Sequence, residues 1–178
     1  MAEQALPLLG HPLAAGSVRF GTDGIRGRVG SVITPALALQ LGYWCGRVLP
    51  PQGPIVLGCD SRSSGPMLLA ALAAGLTAAG RDVLELGLCP TPAVPGAIRA
   101  LGAGGGLMVS ASHNPPHDNG IKVFGADGAK LGRAEQAAIE GGLTGASPEL
   151  QAVPANGRLE RRPDLLEAYQ QRLLASVG

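Results

Sequence analysis

Apolar positions in this chain fall into short blocks separated by proline, glycine and small polar residues, and their spacing alternates between two periods. Thr34-Pro35 sets a capping hydroxyl before a proline at the first helical position, which predicts a helix from there to about Leu49, stopped by Pro50-Pro51. The run from Pro54 to Asp60 has the length and apolar content of a buried strand. Ser63 to Gly80 reads as a second helix, with Pro66 near its start and Gly80 at its stop. Asp82 to Leu88 is a second strand. Thr91-Pro92 can cap a further helix, broken or delayed by Pro95 and ending near Leu101. Gly105 to Ala111 and Ile121 to Phe124 complete the strands. Arg133 to Leu143 looks helical, Gly145 to Gly157 reads as a connector, and Leu165, Leu166, Tyr169, Leu173 and Leu174 recur at helical spacing behind Asp164, a plausible N-cap.

Strands separated by helices imply right-handed βαβ crossovers. The expected fold is α/β and three-layered: a mixed, mostly parallel sheet with helices on both faces. Ligands gather at the carboxyl ends of strands in such sheets, and the loop Ser112 to Gly120 follows a strand end.

Composition narrows the function classes. Hydrophobic residues make up 46% of 178 and aromatics only 3%, so leucine, valine and alanine must fill the core. The 14 basic and 13 acidic residues leave no cationic field of the kind that binds nucleic acid. Arg158, Arg161 and Arg162 are the densest basic cluster, but Glu160 and Asp164 interrupt it, as on a solvated face. The longest apolar run, Met67 to Ala79, is shorter than the ~20 residues of a membrane helix. Glu3, Pro7, His11 and Pro12 make the amino-terminal stretch a poor signal peptide. Cys45, Cys59 and Cys89 are odd in number, widely spaced and set in apolar stretches, which fits buried thiols in a reducing cytoplasm better than disulfides or zinc.

Three segments could carry chemistry. From Ser110 to Lys122 an apolar strand runs into Ser112, His113, Asn114, two prolines, His117, Asp118, Asn119 and Gly120 before a lysine-bearing strand. Prolines stiffen such a loop, which can then hold a hydroxyl in one orientation. A polar turn accounts for these residue types equally well. A hydrolase is disfavoured, because Ser112 lacks a G-x-S-x-G surround and His113 is its immediate neighbour. Arg19 to Gly27 alternates glycines with polar residues, so that backbone N–H groups and Arg26 can approach an anion, or it is a hairpin turn with a surface arginine. Asp60 to Gly65 could offer N–H groups at a helix start, although an Asp60–Arg62 pair that shapes the turn is the better reading. Neither the G-x-G-x-x-G nor the G-x-x-x-x-G-K-[ST] pattern occurs.

Phe20 to Gly27 (FGTDGIRG), the Asp60 to Gly65 turn (DSRSSG), Gly87-x-x-x-Thr91-Pro92 and Ser110 to Lys122 (SASHNP…DNGIK) together resemble the α-D-phosphohexomutases, in their phosphoglucosamine mutase branch. The resemblance runs from about residue 17 to 178. It implies a first domain of phosphohexomutase type over residues 1–178, with 1–16 flexible, 145–157 a connector and 164–178 a helix leading toward a second domain. It further implies that Ser112 is the phosphoserine, with Lys122, His113 and Arg26 in proton transfer and charge stabilisation. Thr22, Arg26, Asn114 and Lys122 would contact substrate or phosphate. Magnesium would be bound through the Ser112 phosphate, and a hexosamine 1,6-bisphosphate would serve as activator and intermediate. The implied reaction converts glucosamine 6-phosphate to glucosamine 1-phosphate. A phosphomannomutase or phosphoglucomutase domain and a non-catalytic interaction domain are the alternatives. Other expectations are a sugar-phosphate substrate, carboxy-terminal domains beyond this chain, a possible homodimer, and neither nucleic acid nor membrane as partner. No Asp-rich metal loop of the family's form occurs, and Asp127 stands alone. The chain is thus expected to be inactive in isolation, with Leu166, Tyr169 and Leu173 exposed.

Overall fold

The computed structural model describes residues 18–145 and 155–176. In chain order the elements are β1 (Ile25–Arg28), α1 (Pro35–Val48), β2 (Ile55–Cys59), α2 (Gly65–Ala78), β3 (Val83–Leu88), α3 (Ala93–Leu101), β4 (Gly105–Val109), β5 (Asp118–Phe124), α4 (Arg133–Leu143), β6 (Leu159–Arg161) and α5 (Asp164–Ser176). They build one six-stranded sheet in the order β1-β5-β4-β2-β3-β6. Contacts are parallel from β4 through β2 and β3 to β6, and antiparallel at β4–β5 and β5–β1.

Alternation of side chains along the strands divides the core in two. Ile55, Leu57, Leu107, Val109 and Ile121 face α1, α2 and α4. Val56, Met108 and Leu86 face α3, and Leu165, Leu166 and Tyr169 of α5 pack against that cluster. The sheet is therefore sandwiched as expected. Tyr169 lies against Gly96 of α3, where an added Cβ would sit 3.3 Å from the ring. Leu166 and Tyr169 are half-buried rather than exposed, while Leu173 and Leu174 are exposed.

Helix α1 begins as the sequence dictates, with Thr34 Oγ1 accepting from Leu37 N at 3.1 Å and Pro35 at its start. Helices α1 and α2 approach closely because Gly42 and Gly75 present bare backbone at the crossing: a Cβ on Gly75 would run into the Leu39 carbonyl and the Tyr43 amide. Pro95 neither breaks nor delays α3. It occupies the first turn, where a helix makes no use of the amide that proline lacks. Gly102 at φ 61° closes α3 in the left-handed region.

Two strands depart from the sequence reading. The segment read either as an anion-approaching loop or as a hairpin turn with a surface arginine supplies edge strand β1, paired with β5. The basic cluster at 158–162 supplies edge strand β6, whose three residues are all exposed. Strand β5 starts at Asp118, three residues before the expected Ile121, and so absorbs the end of the serine loop. Asp164 opens α5, but its carboxylate is paired with Arg162 at 2.7 Å. All three cysteines are buried and free. Burial pushes the Cys45 and Cys59 thiols up, and that of Cys89 up to about 11, which suits apolar filling rather than nucleophilic use. Among the described residues no helix is long and apolar enough to cross a membrane. Residues 1–16 and most of the connector at 145–157 lie outside the described residues.

Candidate active site

The parallel arrangement of β2 and β4 brings the loops after their carboxyl ends side by side, and so places the Ser112 loop beside the Asp60–Gly65 turn. Val109 is the last residue of β4, and Ser110 continues the pairing by donating its amide to Gly120 O at 2.8 Å. The chain then turns sharply. Ser112 has φ 56°, the sole residue other than glycine at positive φ among those described. Left-handed backbone costs an ordinary residue about 1–2 kcal/mol, so the surroundings must impose it.

Those surroundings are polar and specific. Ser112 N donates to Ser110 Oγ at 3.1 Å, and Ser112 O accepts from Arg62 Nη2 at 2.9 Å. Arg62 also donates to the carbonyls of Asn114 (2.7 Å), Pro115 (2.6 Å) and Asp118 (2.8 Å), and its Nε meets Asp60 Oδ2 at 3.3 Å. The expected Asp60–Arg62 pair is present, but it is one contact of a larger clamp. Asn114 Nδ2 donates to Asp118 Oδ2 at 3.0 Å, so this side chain shapes the loop from within. Asn119 is fully buried, donates to Ser64 Oγ at 2.8 Å and thereby ties β5 to the start of α2. The hydroxyl of Ser112 is exposed, 3.4 Å from His113 Nδ1, whereas Ser110 is buried with its hydroxyl engaged.

Arg26 and Lys122 lie elsewhere on the same surface. Arg26 pairs with Gly120, and Lys122 with Met108, so both side chains stand on the α3 face of the sheet. Gly120 provides the floor: a Cβ there would sit 2.8 Å from Arg26 Cγ. The two cations meet not on Ser112 but on Asp23, which no reading of the sequence singled out. Asp23 Oδ2 is 2.6 Å from Arg26 Nη2 and 3.1 Å from Lys122 Nζ, and Oδ1 is 3.0 Å from Lys130 Nζ. Burial pushes the Asp23 carboxyl up, but Lys130 and Lys122 outweigh it and hold the group down at about 2. Lys130 Nζ also donates to the carbonyl of exposed Thr22 at 3.2 Å. Arg26 Nε is buried without a partner. Gly24, at φ 93°, lets this turn come down onto the backbone of Ile121 and Lys122.

A serine presented at a strand end beside a cationic surface matches the four motifs, and the comparison with known proteins decides the family. Residues 17–149 match the model for phosphoglucomutase/phosphomannomutase, alpha/beta/alpha domain I. The chain belongs to the phosphoglucomutase/phosphomannomutase family. It is 65% identical over 170 residues to a phosphoglucosamine mutase of Synechococcus sp. (strain WH7803), covering 94% of this chain and 37% of the relative. It is 63% identical over 180 residues to a phosphoglucosamine mutase of Prochlorococcus marinus (strain MIT 9303), covering 99% and 38%. A crystal structure of a phosphoglucomutase/phosphomannomutase family protein from Burkholderia thailandensis superposes with a TM-score of 0.76 at 30% identity, over 92% of this chain and 36% of that one. The chain thus spans 37 to 38% of the length of these two curated relatives.

Magnesium can be tested against the donors of this family member. Among the described residues no group of three or more His, Cys, Asp or Glu could hold a metal ion, and the neighbour of Ser112 Oγ is His113 rather than a carboxylate. A hard cation needs an oxygen set that these residues do not assemble.

Proposed function

We propose that this chain is the phosphoryl-carrying domain of a phosphoglucosamine mutase, interconverting glucosamine 6-phosphate and glucosamine 1-phosphate through a phosphoserine at Ser112. The observation that carries the reading is the loop geometry: an exposed hydroxyl on a left-handed residue, held from both sides, at a strand end. The phosphoglucosamine mutases at 65% and 63% identity support the choice of sugar. In the forward sense the Ser112 Oγ–P bond breaks as a sugar hydroxyl oxygen bonds to phosphorus, giving a hexosamine 1,6-bisphosphate. The hydroxyl proton passes to a base, for which Lys122 and His113 are the candidates, and the serine oxygen regains a proton. The second transfer reverses these bonds at the other phosphate. Such chemistry asks for positioning and for neutralisation of spreading negative charge. Arg26, with a buried Nε lacking a partner, and Lys122 are suited to the second task, with Thr22 and Asn114 at the edges. Carboxy-terminal domains would supply the rest of the cleft and any magnesium ligands beyond a Ser112 phosphate, and the enzyme would work in the cytoplasm on amino-sugar precursors of the cell wall.

The test is incubation of a full-length form with glucosamine 1,6-bisphosphate followed by peptide mapping. Phosphate on Ser112, lost in Ser112→Ala, is expected. Phosphate on Ser110, or retained by the variant, refutes the assignment. Turnover of glucosamine, mannose and glucose phosphates by a full-length form checks the sugar, and a preference for mannose or glucose refutes it.

A further inference from the structure

We infer that Arg62 is the positioning residue of the phosphoryl-carrying loop: it acts on Ser112 through the backbone and never touches the substrate. A guanidinium has five N–H donors in a rigid fork. Here Nε is given to Asp60, Nη1 to Pro115 O and Asp118 O, and Nη2 to Ser112 O and Asn114 O. The five donors thus have five acceptors within this chain, and none is left for a phosphate. That accounting separates Arg62 from Arg26, whose Nε is buried and unpartnered.

The clamp works at the strained residue itself. The N–H of Ser112 is held by Ser110 Oγ and its C=O by Arg62, so the peptide groups on both sides of the left-handed φ are fixed. The remaining three carbonyls fix the turn that follows, through the two prolines into β5. Arg62 stands one residue beyond the Asp60–Ser61 exit of β2, and Asp60 N is tied to Val109 O at 3.0 Å, so the fork is anchored to the rigid part of the sheet. A fixed positive charge under the carbonyl of Ser112 also lies near where a serine phosphate would place about two negative charges. Lysine cannot replace it, because an ammonium has three donors and no planar fork.

The inference rests on the phosphoserine reading, and the experiment keeps the two separable. Arg62→Ala, Arg62→Lys and, should the first not fold, Arg62→Gln are prepared in the 178-residue chain. Amide hydrogen exchange is followed at Ser112, Asn114 and Asp118, whose N–H groups bond within the loop. Exchange at these amides is expected to rise roughly tenfold or more in Arg62→Ala and Arg62→Lys, while β2 and β4 amides stay within about twofold. Millimolar methylguanidinium should restore protection to Arg62→Ala, and ethylammonium should not. Loop exchange unchanged, acceleration of β2 and β4 to the same extent, or no rescue overturns the inference. Phosphorylation of Ser112 by the bisphosphate is read in parallel, with the same variants in a full-length form. A full-length form that takes no phosphate at Ser112 defeats the phosphoserine reading and leaves the exchange result standing. Arg62→Ala phosphorylated at the wild-type rate defeats the positioning role.

Discussion

The left-handed backbone of Ser112 makes a prediction that separates the cost of holding the loop from the use of its hydroxyl. Ser112→Ala and Ser112→Gly both delete Oγ, whose one contact is the long 3.4 Å approach to His113 on an exposed surface. That loss is common to the two variants and cancels between them. Alanine keeps the Cβ and hence the penalty of about 1–2 kcal/mol at φ 56°. Glycine removes the penalty but gives back about 0.5–1 kcal/mol through its greater freedom in the unfolded chain. Ser112→Gly should therefore be more stable than Ser112→Ala by about 0.5–1 kcal/mol, with the alanine variant within about 0.5 kcal/mol of the parent. For a chain of this size that difference is about 1–4 °C in Tm. Urea titrations of the three proteins, with the slope m held equal, are the assay. A glycine variant equal to or less stable than the alanine variant would mean that the loop relaxes out of the left-handed region once the hydroxyl is gone. Arg62 and Ser110 would then not be what imposes the conformation.

Three further outcomes follow from the same geometry. Asp23 is held near 2 against an ordinary 3.8, so its contribution is fully present above pH 3.8 and is lost as pH falls through about 2. After solvent screening that contribution is about 1 kcal/mol, and the stability gap between the parent and Asp23→Asn should close over that window; a gap independent of pH between 5 and 2 refutes it. Gly75→Ala drives a methyl into the backbone of α1, where no side chain can yield, and should cost about 2–3 kcal/mol despite alanine's better helix propensity; an unchanged Tm would show that the crossing is looser than described. A purified 178-residue chain with magnesium and bisphosphate should turn over at least about a million-fold more slowly than an ordinary enzyme, because one wall of a cleft forfeits orientation and charge stabilisation worth several kcal/mol each; normal turnover in a coupled assay would refute this.

The helices and the inner strands could be read from the chain because their signals are local. Thr34-Pro35 caps its helix through a hydroxyl three residues from the amide it accepts, and the apolar runs of β2 and β4 are buried on both faces, as continuous hydrophobicity implies. The edge strands could not be read that way. Ile25–Arg28 grades from buried to exposed, Leu159–Arg161 is wholly exposed, and both exist only because β5 and β3 offer free edges from far along the chain. The site divides along the same line. Ser112, His113 and Asn114 were visible as a polar interruption after an apolar strand, and Asp60–Arg62 as a neighbouring pair. The reach of Arg62 to residues more than fifty positions away, and the convergence of Lys122 and Lys130 on Asp23, depend on which strands lie side by side. The one sequence-level signal for Asp23 was its place among flanking glycines in FGTDGIRG, which says that backbone approaches closely there but not what the carboxylate holds.

The basic side chains around the serine loop divide into two kinds by what already satisfies them, and that division decides what an incoming anion can use. Arg62 has spent its donors on the chain, so displacing any of them means breaking the loop it holds. Arg26, Lys122 and Lys130 share a single carboxylate, and Arg26 retains a buried, unpaired Nε. Three cations against one Asp23 leave two net positive charges on one face of the sheet, matching a phosphate dianion. An unpaired buried N–H costs about 1–3 kcal/mol, a cost that an anion accepting from it would relieve. In the absence of such an anion, Asp23 keeps the three cations from repelling one another apart. Its depressed titration means that it does so as a carboxylate throughout the neutral range. The face is thereby ordered before any ligand arrives, and an arriving phosphate competes with one carboxylate rather than having to assemble three mobile side chains.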